Sequence, residues 1–168
     1  MEIKERIIMG IDPGTNRIGY GIVRISGKKT SYVTSGLIEI KEKYCPEQLK
    51  TIHNRLKEVA VRYSPDAAAV EKLFFSKNKT TAMSVAEARG VILLTLSLLD
   101  IPIIEISPNE VKSSVTGYGQ ADKKAVLKMV NLILGSKDFN PIDDTSDALA
   151  MAIAASNYHI NRSGTGGS

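Results

Sequence analysis

The chain has 168 residues, which is enough for one domain that buries about two-thirds of its unfolded surface around a single core. Its 22 Lys and Arg outnumber its 18 Asp and Glu, and the resulting net charge of +4 favours a polyanionic partner such as a nucleic acid. No apolar run is long enough to span a bilayer, the N-terminus lacks the layout of a signal peptide, and a single cysteine excludes an internal disulfide, so we expect a cytoplasmic protein without a membrane anchor.

The chain opens with two runs of apolar, β-branched residues, 6–11 and 18–25, which predict a β-hairpin. Asp12 ends the first run. Pro13 and Gly14 then predict a sharp turn in which the glycine takes a positive φ. Because aspartate often does no more than open a turn, this motif alone leaves the function of Asp12 open.

The next segments continue the sheet and add its first helix. Gly19 and Gly21, two residues apart, leave one face of the second strand bare, so another segment can approach its backbone. Residues 30–40 read as a third antiparallel strand. Residues 46–63 carry apolar side chains at spacings of three and four, which predicts an amphipathic helix.

A short apolar run at residues 66–70 predicts a buried strand that finishes at Glu71. Residues 72–79 combine two aromatic side chains with basic and amide residues and have no period, which indicates an exposed functional loop. The helix that follows, residues 80–99, is apolar nearly all round. A helix of this kind is buried centrally or at a subunit interface.

The second half of the chain is predicted to be mainly helical after one more buried strand at residues 101–106. Ser107 and Glu110 form a capping box for a short helix to residue 115. Another helix spans residues 122–134 and ends at a glycine.

An alanine-rich helix closes the folded part of the chain and runs to residue 155. Asp144 and Asp147, three residues apart, share one face near its N-terminus, and Asp143 is a neighbouring candidate for that face. An acidic first turn also stabilises a helix by itself, so simple capping is the alternative. We expect one domain over residues 1–160 and a disordered Gly/Ser-rich tail over residues 161–168.

The order of these elements predicts an α/β fold with a mixed five-stranded sheet, three antiparallel strands then two parallel, flanked by helices. Asp12 and Glu71 would end neighbouring strands, with the last helix packed on the sheet. Clustered carboxylates repel one another unless cations lie between them. All-oxygen ligands are typical of Mg²⁺ sites, with Mn²⁺ as a substitute, and two such ions can hydrolyse a phosphodiester.

Several short motifs occur in a fixed order along the chain. They are Gly10-Ile11-Asp12-Pro13-Gly14, Gly19-Tyr20-Gly21, Val70-Glu71 with Phe74, Glu87-Ala88-Arg89-Gly90, Gly119-Gln120-Ala121-Asp122-Lys123 and Asp144-Thr145-Ser146-Asp147-Ala148-Leu149-Ala150. Over residues 6–158 the chain thus resembles the RuvC-type Holliday-junction resolvases, bacterial endonucleases of the ribonuclease H-like superfamily.

The resemblance implies a homodimer that binds a four-way DNA junction, nicks two strands symmetrically with Mg²⁺, and works with a junction-binding and branch-migration motor complex. The helix at residues 80–99 fits the dimer interface expected by analogy. The carboxylates that match the family's metal-binding and catalytic positions are Asp12, Glu71, Asp144 and Asp147.

Basic and aromatic side chains complete the predicted site. The resemblance places Lys123 beside the scissile phosphate as a catalytic and DNA-binding residue, and gives Lys112 a role in positioning DNA. Phe74 matches an aromatic that stacks on an unpaired base. The charge distribution adds further candidate DNA contacts, which are Lys77, Lys79 and Arg89.

Two other functions share parts of this pattern. One is a non-catalytic junction-binding protein of the same fold, in which four clustered carboxylates without a metal ion would be electrostatically unfavourable. Actin-like sugar kinases and related ATPases also begin with a strand, an aspartate-glycine turn and a second strand, but they need two such subdomains, and 168 residues supply one.

Overall fold

A computed structural model describes residues 5–42, 45–72, 79–135 and 143–158. Its strands are β1 (Arg6–Asp12), β2 (Arg17–Ser26), β3 (Lys29–Glu39), β4 (Ala67–Glu71) and β5 (Ile103–Ile106). They form one sheet in the order β3-β2-β1-β4-β5, in which β1, β2 and β3 are antiparallel while β4 and β5 run parallel to β1. The predicted mixed five-stranded sheet is therefore confirmed.

Helices cover both faces of the sheet. They are α1 (Cys45–Tyr63), α2 (Lys79–Leu98), α3 (Pro108–Thr116), α4 (Lys123–Leu134) and α5 (Asp143–Ala155). Successive strand residues point to opposite faces, so Ile8 packs with α3, α4 and α5, while Met9 packs with α1 and α2. Within the described ranges, no helix combines the length and apolar content that crossing a membrane requires.

The bare face of β1 and β2 is where α5 packs. A Cβ atom on Gly10 would overlap the carbonyl oxygen of Ala148, and one on Gly19 would overlap the carbonyl oxygen of Asp144. Gly21 also lies against α5. The predicted close approach to these glycines is confirmed. Because the contact is backbone to backbone, the first turns of α5 lie directly over the end of β1.

The connection from β1 to β2 differs from the predicted turn. Gly14 does not take a positive φ; among the described glycines, the positive-φ positions are Gly27, Gly117 and Gly135. A Cβ atom on Gly14 would instead overlap the carbonyl oxygen of Arg17. Glycine is needed here for space, because the four-residue connection folds back tightly on the start of β2.

Side-chain caps fix the starts of α3 and α4. The predicted capping box is present, with the Ser107 hydroxyl accepting from the Glu110 N–H and the Glu110 carboxylate accepting from the Ser107 N–H. Asp122 is the N-cap of α4, where its carboxylate accepts a 2.7 Å hydrogen bond from the Ala125 N–H. This cap makes Lys123 the first residue of α4.

The apolar helix α2 has two different faces. Ala88, Ile92 and Leu96 are buried in the core shared with α1. Leu94 and Leu98 are 56% and 64% exposed, and Met83 is 70% exposed. The helix is therefore not buried all round in one chain, and its outer face presents apolar side chains to solvent.

Candidate functional site

The carboxyl ends of β1 and β4 lie side by side and bring Asp12 and Glu71 to the same edge of the sheet. Asp147, on the second turn of α5, faces this edge. These carboxylates line a cleft of about 260 Å³ that we call the inner cleft. Its other lining residues are Lys112, Lys123, Pro108, Val111, Val126, Ala150 and Met151.

The inner cleft holds its carboxylates in an unfavourable environment. Burial, followed by the nearby carboxylates of Asp147, Glu71 and Asp144, raises the pKa of Asp12 to about 7, while the ammonium of Lys123 partly opposes this rise. Burial and the charge of Asp147 also raise the pKa of Glu71. The fold thus disfavours the ionised forms of Asp12 and Glu71, and a bound cation would stabilise these ionised forms.

Two lysines supply positive charge to the inner cleft. The Lys123 ammonium lies 3.3 Å from a carboxylate oxygen of Asp147. Because the Asp122 cap fixes the start of α4, the base of the Lys123 side chain is held next to α5. Lys112 reaches the same cleft from α3. The structure therefore brings together five of the predicted site residues: Asp12, Glu71, Asp147, Lys112 and Lys123.

Asp144 lies on the other side of Asp12, where its carboxylate forms an ion pair with the Arg17 guanidinium. This pair lines a second cleft of about 440 Å³, which we call the outer cleft. The outer cleft consists of Asp12, Pro13, Gly14, Thr15, Asn16, Arg17 and Asp144. Sequence reasoning missed Arg17, since its only signal is a basic residue that follows the turn after Asp12.

The chemistry of this donor set fits a hard divalent cation. Carboxylate oxygens are the ligands that such ions prefer, and the pKa values of Asp12 and Glu71 are raised by burial first and by neighbouring carboxylates second. Among the described residues, however, no three acidic, histidine or cysteine side chains already form a ready-made set of metal ligands. Asp144 and Asp147 each contact a cationic side chain instead. A bound ion would therefore compete with these cationic side chains for the charge of Asp144 and Asp147.

Lys72 does not contribute to the inner cleft, although it follows Glu71 directly. Its ammonium lies 3.7 Å from the carboxylate of Glu110 on α3. The Lys72 backbone N–H continues the parallel pairing by donating to the Ile106 carbonyl at 2.9 Å.

Arg89, a predicted DNA contact, lies on α2 and its side chain reaches the ends of β4 and β5. Its Nε donates to the backbone carbonyl of Glu71 at 2.9 Å, and its guanidinium also pairs with the Glu105 carboxylate. The side chain is only 13% exposed. Arg89 thus ties α2 to the ends of β4 and β5 next to Glu71, and its predicted DNA contact stays a prediction.

Several other predicted site residues cannot be placed. Phe74 and Lys77 lie outside the described residues, as does the tail at residues 161–168. Lys79 and Asp143 are the first residues of α2 and α5, and their side chains also fall outside the described set. The choice between Asp143 and Asp144 therefore stays a prediction.

Comparison with known proteins identifies the family that this chain matches. Residues 8–155 match the family model described as crossover junction endodeoxyribonuclease RuvC. The protein of that name from Thermosipho melanesiensis is 47% identical over 146 residues, which cover 86% of this chain and 93% of that protein. Its counterpart from Brachyspira hyodysenteriae is 48% identical over 149 residues, covering 88% and 92%.

A solved structure gives the same result for the fold. Thermus thermophilus RuvC in complex with a Holliday junction substrate superimposes with a TM-score of 0.84 and is 32% identical. The superposition covers 90% of this chain and 93% of that one.

Proposed function

Because the chain belongs to the RuvC family of crossover junction endodeoxyribonucleases, we propose that it resolves four-way (Holliday) DNA junctions by paired, symmetric phosphodiester hydrolysis in recombination and repair. The observation that carries this proposal is the inner cleft, where three strand- and helix-borne carboxylates meet two lysines. Carboxylates bind metal ions, lysines bind phosphate, and a nuclease needs both.

We propose that Asp12, Glu71 and Asp147, with Asp144, hold Mg²⁺, two ions per site, with Mn²⁺ as a substitute. When bound, the metal activates a water molecule and stabilises the leaving oxygen of the phosphodiester. The chain's own groups do the rest. Lys123 offers an ammonium to the charge that develops on the phosphate, and Lys112 orients the DNA strand from α3.

The exposed face of α2 supports a homodimer. Met83, Leu94 and Leu98 are exposed apolar side chains on one side of a helix whose opposite face is already buried in its own chain. A second copy of the chain would cover these side chains, as the family resemblance implies. Leu94→Glu, which adds a charge to an exposed position, should convert the dimer to monomers in light-scattering measurements without loss of the fold. A dimer of unchanged mass would place the interface elsewhere.

The remaining parts of the proposed function come from the family resemblance. Phe74 is proposed to stack on an unpaired base at the junction, with Lys77 and Lys79 as DNA contacts from the same segment. Cooperation with a branch-migration motor and a cytoplasmic location both follow from the family's role in DNA recombination. Phe74→Ala should slow cleavage more than it weakens junction binding.

A labelled synthetic four-way junction tests the proposal, with a linear duplex of the same sequence as the control, in Mg²⁺ and in EDTA. We expect paired symmetric nicks that are confined to the junction and require the metal ion. Because the enzyme can have a sequence preference, a pool of junctions with randomised cores serves as substrate. Binding without nicks across the whole pool would favour the alternative, a non-catalytic junction-binding protein.

A further inference from the structure

The ion pair between Arg17 and Asp144 conflicts with the proposed role of Asp144 as a metal ligand. Arg17 is the only basic residue among the described residues that line the outer cleft. Its guanidinium contacts the carboxylate of Asp144, which is the group a metal ion would need. One carboxylate cannot give its full negative charge to two cations. Arg17 and a metal ion on Asp144 therefore compete for the charge of this carboxylate, and each weakens the contact of the other.

The surroundings of Arg17 allow such a movement. Its side chain is 55% exposed, whereas that of Asp144 is 23% exposed. The outer cleft beside it is lined by the polar side chains of Thr15 and Asn16 and has a volume of about 440 Å³. A long exposed side chain can swing into this space at little cost, because exposed ion pairs contribute only about 0–1 kcal/mol.

The outer cleft also has the right position for DNA. Asp12 lines both clefts, so the two clefts adjoin, and a strand whose phosphate enters the inner cleft can continue past Asp12 into the outer cleft. Lys112 and Lys123 lie on the inner side. On the outer side, Arg17 is the group that can bind the next phosphate, and the planar guanidinium matches the geometry of phosphate oxygens.

We propose that the outer cleft is a subsite for a DNA backbone phosphate adjacent to the one cleaved, and that Arg17 binds this phosphate after leaving Asp144. The proposal rests on the nuclease function proposed above. It makes Arg17 a positioning residue that couples the two ligands: a phosphate in the outer cleft releases Asp144 for the metal ion, and the metal ion on Asp144 releases Arg17 for the phosphate. By linkage, each ligand then tightens the binding of the other.

The first test measures Mn²⁺ binding to the DNA-free protein by calorimetric titration. Arg17→Gln removes the competing cation, so Mn²⁺ should bind about two- to fivefold more tightly, as expected for the loss of one exposed ion pair. Arg17→Lys, which keeps the charge, should return the affinity toward that of the unaltered protein. The double variant Arg17→Gln with Asp144→Asn should lose the gain, because the effect acts through Asp144.

Arg24→Gln is the matched control. Arg24 lies on the same strand, is 51% exposed and pairs with Glu5 at 3.8 Å, away from both clefts. It should leave Mn²⁺ affinity unchanged. If Arg17→Gln also leaves the affinity unchanged, or if the gain survives Asp144→Asn, the coupling through Asp144 is wrong.

The second test measures the affinity for a labelled four-way junction by fluorescence anisotropy, in EDTA and in Ca²⁺. In the unaltered protein and in Arg24→Gln, Ca²⁺ should tighten junction binding. In Arg17→Gln this gain should shrink by about two- to fivefold, since the phosphate subsite has lost its cation. An unchanged gain would overturn the subsite.

Failure of the nuclease function itself would have a different signature, which is the absence of nicks by the unaltered protein. The Mn²⁺ titration of DNA-free protein would still report the competition at Asp144 in that case.

Discussion

The inner and outer clefts meet at Asp12 but balance their charges in different ways. In the inner cleft, burial and neighbouring carboxylates raise the pKa of Asp12 to about 7 and also raise the pKa of Glu71. In the outer cleft, the carboxylate of Asp144 is already paired with the Arg17 guanidinium. In the inner cleft two carboxylates therefore keep raised pKa values although two lysines line the cleft, whereas in the outer cleft Arg17 pairs directly with the carboxylate of Asp144.

A DNA-cutting site has to bind both a metal ion and a DNA phosphate, and the two clefts differ in which of these they suit. Desolvated carboxylates beside apolar residues such as Val126 and Met151 favour a metal ion strongly when one arrives, because the ion replaces the missing solvation. An exposed arginine can exchange partners instead. In the roles proposed above, the inner cleft thus binds the metal ion and the outer cleft binds a phosphate of the substrate.

The largest expected effect comes from the inner carboxylates. Asp12→Asn or Glu71→Gln should reduce junction cleavage by at least about a thousandfold, because each variant removes a charged ligand from the proposed metal site. Junction binding should persist, since phosphate contacts do not need these charges. Gel-shift and cleavage assays on the same protein samples separate the two results. Loss of binding together with cleavage would contradict the proposed role.

The second effect is on stability and depends on pH. Since folding raises the pKa of Asp12 from 3.8 to about 7, ionised Asp12 destabilises the metal-free fold. The stability that protonated Asp12 contributes to the fold is fully present below about pH 4 and is lost as the pH rises through about 7. Asp12→Asn should therefore stabilise the protein in EDTA at pH 8 by as much as about 4 kcal/mol, at 1.36 kcal/mol per pKa unit, and have little effect at pH 4.

Asp144→Asn is the matched variant for this prediction. It removes the partner of an exposed arginine, so it should change the free energy of unfolding by no more than about 1 kcal/mol. Urea unfolding at several pH values measures both variants. If the two aspartates gave the same pH dependence, the contrast between the clefts would be lost.

Both clefts depend on the close contact between β1 and α5, and a substitution at Gly10 tests this contact. Gly10→Ala should destabilise the fold by about 1–3 kcal/mol, because the added Cβ meets the backbone of Ala148 and neither strand nor helix can yield freely. Gly119→Ala is the control, since its Cβ would make only ordinary contacts, 3.5 Å from the Asn109 carbonyl oxygen. Thermal unfolding compares them. Equal stability of the two variants would mean that α5 does not need this close approach.

The smallest effect should come from Arg89, which donates a hydrogen bond from α2 to the Glu71 carbonyl at the end of β4. Arg89→Gln should slow cleavage by about tenfold through a displaced Glu71, as expected for loss of a charged hydrogen bond, while junction affinity stays the same. A drop in affinity without a change in the cleavage rate of bound junction would support Arg89 as a DNA contact.

Much of the framework could be predicted from the sequence because its signals are local. Apolar runs bounded by turn residues predict the strands, and the capping box at Ser107 and Glu110 predicts the start of α3. The proximity of Asp12 and Glu71 can be predicted because each ends a strand and the two strands are parallel neighbours. Gly19 and Gly21 predict a close backbone contact, although not that Asp144 makes it.

The remaining features depend on tertiary packing, which local patterns do not contain. Arg17 and Asp144 are far apart in the chain and meet only after α5 packs on β2. Arg89 is predicted to contact DNA because of its charge, whereas its contacts with the ends of β4 and β5 form only in the folded chain. Gly14 is needed for space near the Arg17 carbonyl, not for a positive φ.

The most direct test of the metal site is the shift in melting temperature that Mg²⁺ produces at pH 8 and at pH 5. In the unaltered protein, Mg²⁺ should raise the melting temperature at pH 8, and the shift should fade at pH 5 because protons compete for Asp12. Asp12→Asn should abolish the shift, whereas Glu39→Gln, at an exposed position on β3, should keep it. A full shift in Asp12→Asn, or none in the unaltered protein at pH 8, would contradict a metal site in the inner cleft.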